Sequence, residues 1–316
     1  MSTPMIDHHL EPDPEPNHAG RLEGIEWPTL AVIAGWMSAT ILVIVFHASM
    51  PWWTTVPALA VLGALHFSLQ HEVIHGHPTP WRRLNIALVG VPLSLWCPYS
   101  AYRDSHLAHH DSDLTVPGVD PESYHVTADA WRAAGRIRRA VLRANRTLLG
   151  RLVLGPWLVV EASVRDAARS LTTSGCRRSW GFHVPIVLGV VLVVVGIAGL
   201  PWWEYLVGSV WGATSMTLLR SFAEHRFVEG SRSAVVATHG PLALVFLNNN
   251  LHHTHHARPD VAWYRLPDLH RELGSDEIAR TGAGWYRSYF DVARRHLVRP
   301  FGTPVHPSEA AGALGE

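Results

Sequence analysis

The chain lacks lysine altogether, so all 26 of its basic residues are arginine, a bias that fits a G+C-rich bacterial source. Cysteine is nearly absent too: Cys97 and Cys176 are too few for a four-cysteine iron–sulfur cluster or a disulfide framework. Charge is scarce, with 16% charged residues where soluble domains carry about 25%, while 47% of the residues are hydrophobic. The formal net charge is zero and the arginines are not interleaved with aromatics, which argues against a nucleic-acid partner. No G-x-G-x-x-G follows a strand-like run and no fused electron-transfer domain is visible, so any electrons must come from a separate protein. These absences point to a membrane protein.

Residues 1–26 are rich in Pro, Glu, Asp and His without apolar periodicity, and read as a disordered cytosolic tail in which His8, His9 and His18 are solvated. Four apolar segments approach the ~20 residues needed to cross a hydrocarbon core. They run over about 28–48, 53–70, 182–200 and 202–222. The turns within the two pairs are nearly identical, Pro51-Trp52-Trp53 and Pro201-Trp202-Trp203, and neither contains arginine. Arginine-rich stretches, including 132–151, 165–178 and 258–299, all lie outside those turns, so the positive-inside rule places them and both termini in the cytoplasm. Residues 84–99 are apolar but short for a crossing and read as re-entrant or interfacial. Residues 147–164, interrupted by Arg151, Pro156 and Glu161, read as an amphipathic helix lying along the interface, and 271–316 as a cytosolic C-terminal segment.

Three clusters hold ten of the 22 histidines: His71, His75 and His77; His106, His109 and His110; His252, His253, His255 and His256. A helix brings positions i, i+3 and i+4 onto one face, so each cluster can aim two or three imidazoles at one point. Together they offer more ligands than one zinc uses, which implies two metal ions. With residues 84–99 not crossing, the first two clusters share a side; two crossings later the third returns to it. His71-Glu72-Val73-Ile74-His75 also matches the zinc-protease pattern H-E-x-x-H, in which the glutamate activates water. That reading leaves the other two clusters unexplained. A metal transporter would place its ligands near the bilayer midplane, not in arginine-flanked surroundings.

The set H-x-x-x-H, H-x-x-H-H and H-x-x-H-H around two hydrophobic hairpins resembles the membrane fatty acid desaturase and hydroxylase superfamily over about residues 27–266. Arg103-Asp104-Ser105, Asn250-Leu251 and Trp263-Tyr264-Arg265-Leu266 resemble bacterial desaturase-type members. The resemblance implies an all-α membrane protein with four transmembrane helices, a cytosolic helical cap and a di-iron centre held by histidines. It implies a bacterial inner-membrane enzyme that uses O2 and two electrons from a donor such as ferredoxin and its reductase. The ligands it implies are His71, His75, His106, His109, His110, His252, His255 and His256, with His225 recruited from the end of the fourth helix.

His77 and His253 are extra to the motif and are expected either to support ligands by hydrogen bonding, the favoured reading, or to serve as alternative ligands. Asp104, Asp111, Asp113 and Glu224 are candidates to orient imidazoles by accepting their second N–H. Asn249 and Asn250 either hold a metal-bound water or cap the third box, and His66, inside the second apolar segment, is expected to be a satisfied interior residue. The expected reaction is desaturation of an acyl lipid or thioester. Hydroxylation or ketone formation on a lipid, alkane or carotenoid is the alternative on the same scaffold.

Overall fold

The computed structural model describes residues 24–170 and 173–309; most of the expected tail, with His8, His9 and His18, lies outside them. Helix α1 (Trp27–Phe46) starts with Pro28 in its first turn, where a missing N–H costs nothing. Its buried residues Thr29, Ile33, Trp36 and Thr40 fall at helical spacing and form one stripe. Elsewhere it bares Ile41, Leu42, Val45 and Phe46. A short 3₁₀ turn and Pro51 end α1 and open α2 (Trp52–Ile74), which is buried continuously from His66 to Ile74. Trp36 donates its indole N–H to the Leu62 carbonyl at 3.0 Å and stacks on His66 with ring centroids 4.7 Å apart. Glu26, at the end of the expected tail, is held by the fold, because its carboxylate accepts from Thr29 Oγ1 at 3.0 Å and lies 2.6 Å from His77 Nδ1.

Residues 84–99 do not form one helix: α3 (Arg82–Val89) has eight residues, irregular chain follows, and α4 (Tyr99–His110) starts after Pro98. Two short helices, α5 (Ala128–Ala133) and α6 (Arg136–Ala144), precede α7 (Leu148–Ser170), which exposes Leu149, Val153, Trp157 and Val164. Helix α8 (Ser174–Val191) begins eight residues before the expected span because Thr173 caps it by accepting from the Cys176 N–H, and it continues as π-helical turns to Ile197.

The fourth apolar segment is helical from 202 to 221, as α9 (Trp202–Tyr205), π-helical turns over Leu206–Gly212, and α10 (Ala213–Ser221). Among the described residues three helices, Trp27–Ser49, Trp52–Ile74 and Ser174–Ile197, are long and apolar enough to cross a membrane. The fourth is less apolar, holding Glu204 and Arg220, and packs hard against α2. A Cβ on Gly208 would stand 2.7 Å from Leu59 Cβ, one on Gly212 2.8 Å from Ala60 Cβ, and one on Gly63 2.5 Å from Ala213 Cβ. This small-residue seam lets two backbones approach as GxxxG pairs do in lipid. The matching turns meet as well, with the Trp52 and Trp203 rings 6.0 Å apart.

The remaining chain packs into the same body. Strand β1 (Val235–Val236) pairs in parallel with β2 (Trp285–Tyr286). Around this pair lie α11 (Pro241–Val245), α12 (His252–Ala257), α13 (Leu266–Glu272), α14 (Ser275–Thr281) and α15 (Tyr289–His296). Phe222, Ala234, Val236, Phe246, Tyr286, Tyr289 and Val292 form a buried core there. Residues 304–306 pair with Val126, bracing the loop that follows α4.

Candidate metal centre

Each histidine box sits where a helix end can deliver it. His71 occupies the last turn of α2 and His75 its C-cap; His106, His109 and His110 line the last turn and a half of α4; His252, His255 and His256 fill α12. His225 follows α10 on extended chain bridged to Ser233. The Ala234 N–H donates to Glu224 O, the His253 N–H to Ala234 O, and the Val236 N–H to Asn250 O. One short segment therefore ties His225 to the third box.

All nine imidazoles proposed as ligands converge, and they divide five and four. His71, His75, His106, His110 and His255 form one group, and His109, His225, His252 and His256 the other, with one nitrogen from each within 4.8 Å of the rest of its group. The two groups interlock through the i and i+4 steps of the boxes: His106 and His110 serve the first while His109 serves the second, and His255 serves the first while His252 and His256 serve the second. His110 and His256 stack across the boundary at 4.2 Å.

The hydrogen-bond partners set the tautomers. His109 Nδ1 lies 2.7 Å from Asp120 Oδ1, His106 Nδ1 3.1 Å from Glu122 Oε1, and His252 Nδ1 3.0 Å from Asn249 Oδ1. These oxygens accept, so the Nδ1 atoms carry the protons and the Nε2 atoms present lone pairs. Those Nε2 atoms face one another: His106 lies 3.1 Å from both His75 and His110, His109 3.0 Å from His225, and His252 2.9 Å from His225 and 3.1 Å from His256. The lone pairs of His106, His109 and His252 thus converge with the Nε2 atoms of neighbouring imidazoles, so the donor set fits two transition-metal ions. Neutral imidazole is also the form that binds metal. Burial, followed by the neighbouring imidazoles, pulls His75 down to about 2 and His110 to about 3. It likewise pulls His225 to about 3 and holds His252, His255 and His256 well below 6.5. His109 goes the other way: burial depresses it, but the Asp120 hydrogen bond and the nearby carboxylates outweigh that and raise it.

Of the residues expected to support the site, Asn249 reaches both groups, from Oδ1 to His252 Nδ1 and from Nδ2 to His71 Nε2 at 3.3 Å. Asn250 instead holds the backbone at Val236 and Thr238. His77 turns away to Glu26, and His253 to Ser231 Oγ at 2.8 Å. Asp104 is exposed against Arg103, Asp111 is exposed, and Asp113 pairs with Arg232, because these positions lie on the outer side of α4 and its exit loop. Glu224 is buried 3.5 Å from His252 Nδ1 and 3.3 Å from the Arg220 guanidinium. Burial lifts its carboxyl to about 7, with Arg220 pulling the other way. His66 donates to or accepts from nothing in the centre; its Nε2 meets the Val89 carbonyl at 2.7 Å.

Sequence reasoning missed Asp120, Glu122 and Ser233. The first two lie eleven and sixteen residues from the imidazoles they hold, after a Pro-Gly turn, and no helical spacing links them to the box. Asp120 also accepts from the Thr115 and Glu122 N–H groups, both at 2.8 Å, which fixes its carboxylate. Ser233 Oγ reaches His225 Nδ1 at 3.3 Å.

A narrow cleft adjoins the five-histidine group, lined by Phe67, Ser68, Tyr102, Thr217, Arg220 and Phe246 from α2, α4, α10 and α11's end. The Tyr102 ring is 6.0 Å from that of His106. Comparison with curated proteins gives no match. The fatty acid desaturase family model, however, matches residues 47–289, a stretch that contains all nine converging histidines and the loop that holds them, and the chain belongs to that family.

Proposed function

We propose that the protein is a membrane-bound di-iron oxidoreductase that desaturates an acyl chain carried by a lipid or thioester. The observation that carries this reading is the five-and-four convergence of buried and half-buried imidazoles beside apolar helices. Two irons held there would supply the oxidant that an unactivated C–H bond demands and that no side chain provides. The balance is one O2, two electrons and two protons consumed for each pair of substrate hydrogens removed, with two waters released. Returning one oxygen to the substrate instead would give an alcohol and one water.

The chain's own residues have distinct tasks. Asp120, Glu122 and Asn249 fix the ring orientation of His109, His106 and His252 and keep their Nε2 lone pairs directed inward. The narrow cleft beside His106, bounded by Phe67 and Phe246, marks the side from which a hydrocarbon chain would approach. Glu72 is engaged elsewhere, since its Oε2 accepts from the Trp263 N–H at 3.1 Å, and this disfavours a role as a hydrolytic base. In the membrane the four apolar helices cross as two hairpins, with both termini and the metal centre on the cytoplasmic side. The arginine-rich stretches 132–151, 165–178 and 258–299, on the cytoplasmic side in this topology, suit an acidic electron donor of the ferredoxin type.

The test is mass spectrometry of lipids and pigments from cells with and without the gene. Products lighter by two hydrogens support desaturation, products heavier by one oxygen assign hydroxylation, and an unchanged profile with an O2-independent hydrolytic activity would overturn both.

A further inference from the structure

Away from the histidines, a polar cavity of about 260 Å³ opens between the chain after His225, the end of α14, β2 and α15. Arg226, Arg280 and Arg295 line it together with Trp285 and Tyr286. The Arg280 guanidinium stacks 3.8 Å from the Trp285 ring and that of Arg295 lies 5.2 Å from Tyr286, so the aromatic walls set where the charges stand. Arg295 is joined to Asp291 at 2.7 Å, and Arg294 meets the same carboxylate at 3.2 Å, so one acid serves two guanidiniums. Asp276, the other nearby carboxylate, is taken by the Trp285 indole N–H at 2.7 Å and by His270 at 2.9 Å. Among the described residues, neither Arg226 nor Arg280 has a carboxylate partner. The cavity therefore carries excess positive charge.

We propose that this cavity binds a phosphate group, as a second ligand site separate from the metal centre. Guanidinium forks match phosphate oxygens two at a time, and several arginines around one small polar space suit a group bearing more than one negative charge. The volume is below the ~300 Å³ at which small-molecule pockets begin and suits a headgroup or phosphate ester better than a hydrocarbon chain. The position also separates it from catalysis. His225 and Arg226 are consecutive on extended chain, whose side chains alternate in direction, so His225 faces the four-histidine group while Arg226 faces the cavity. A ligand here would touch the peptide that positions His225 without entering the site. Two sources offer the same chemistry, the headgroup of an anionic lipid and a soluble phosphate ester.

The experiment uses the full-length protein in two arms. In detergent, inorganic pyrophosphate is titrated calorimetrically at constant ionic strength with chloride as comparator; in nanodiscs, phosphatidic acid is compared with phosphatidylcholine alone. Saturable binding is expected in at least one arm, and a preference for phosphatidic acid discs assigns the lipid source. Arg226→Gln and Arg280→Gln should each weaken binding at least about tenfold, the scale of one lost charge-assisted pair. Arg132→Gln, which removes an exposed partner of Asp129, should leave binding unchanged. A measurement on unaltered protein covers the case in which a variant misfolds: pyrophosphate or phosphatidic acid should protect Arg226 and Arg280, but not Arg132, from phenylglyoxal. No saturable binding in either arm, equal affinity in the folded variants, or equal modification of all three arginines would overturn the proposal without bearing on the metal centre.

Discussion

Replacing Asp120 with asparagine probes how the metal centre is held. Asp120 Oδ1 accepts from His109 Nδ1 at 2.7 Å and from the Glu122 N–H at 2.8 Å, while Oδ2 accepts from the Thr115 N–H at 2.8 Å. Asparagine has the same shape but one acceptor oxygen. With that oxygen towards His109, the amide NH2 confronts the Thr115 N–H, donor against donor. Flipped, the NH2 confronts His109 Nδ1 and drives the ring proton to Nε2, which removes a lone pair from the four-histidine group. Loss of such a supporting carboxylate typically weakens metal binding about 10–100-fold, or about 1.4–2.8 kcal/mol. The effect should be confined to one metal, because His109 belongs only to the four-histidine group. Glu122→Gln, acting on His106, should selectively weaken the five-histidine site. The assay is iron release to a competing chelator from protein purified under iron-sufficient conditions, with circular dichroism to confirm the fold. Wild-type release curves for both variants, or equal loss of both irons from both, would refute the assignment of each carboxylate to its own group.

Three further outcomes follow from the same geometry. His225→Ala should lower iron content and abolish turnover, whereas His66→Ala should keep its iron and lose about 1–3 kcal/mol of stability from its Val89 hydrogen bond and Trp36 stack, the Val89 carbonyl keeping its bond from Gln70; full activity in the first variant would remove His225 from the centre. His75, His110 and His225 bind protons less readily folded (about 2, 3 and 3) than unfolded (6.5), so the metal-free protein should keep its stability above about pH 6.5 and lose it as pH falls below that. An unfolding midpoint that stays level from pH 8 to 5 would contradict the buried neutral state. A single cysteine at Ser112, beside His109, should resist a membrane-impermeant reagent applied outside intact cells, and labelling there would exclude a cytoplasmic centre.

The sequence by itself, with the resemblance for His225, picked out the nine histidines that converge. Helical spacing within each box needs only local geometry to aim imidazoles along one face, and apolar runs of sufficient length report the helices α1, α2 and α8 for the same reason. It also marked His66 as an interior residue, because a lone imidazole in an apolar helix must find a local partner. Tertiary structure decided how nine histidines divide between two groups, since the split follows from how α2, α4 and α12 meet and not from any one box. It decided which carboxylates hold them as well: Asp120 and Glu122 reach back from a loop, while Asp104 and Asp111, adjacent in sequence, face outward. His77 and His253 repeat the box chemistry but leave the helical faces that converge, and bind Glu26 and Ser231 instead. Spacing along a helix fixes direction over one or two turns; contacts made across 27 to 178 residues, such as His225 with His252 or Asn249 with His71, exist only once the helices have packed.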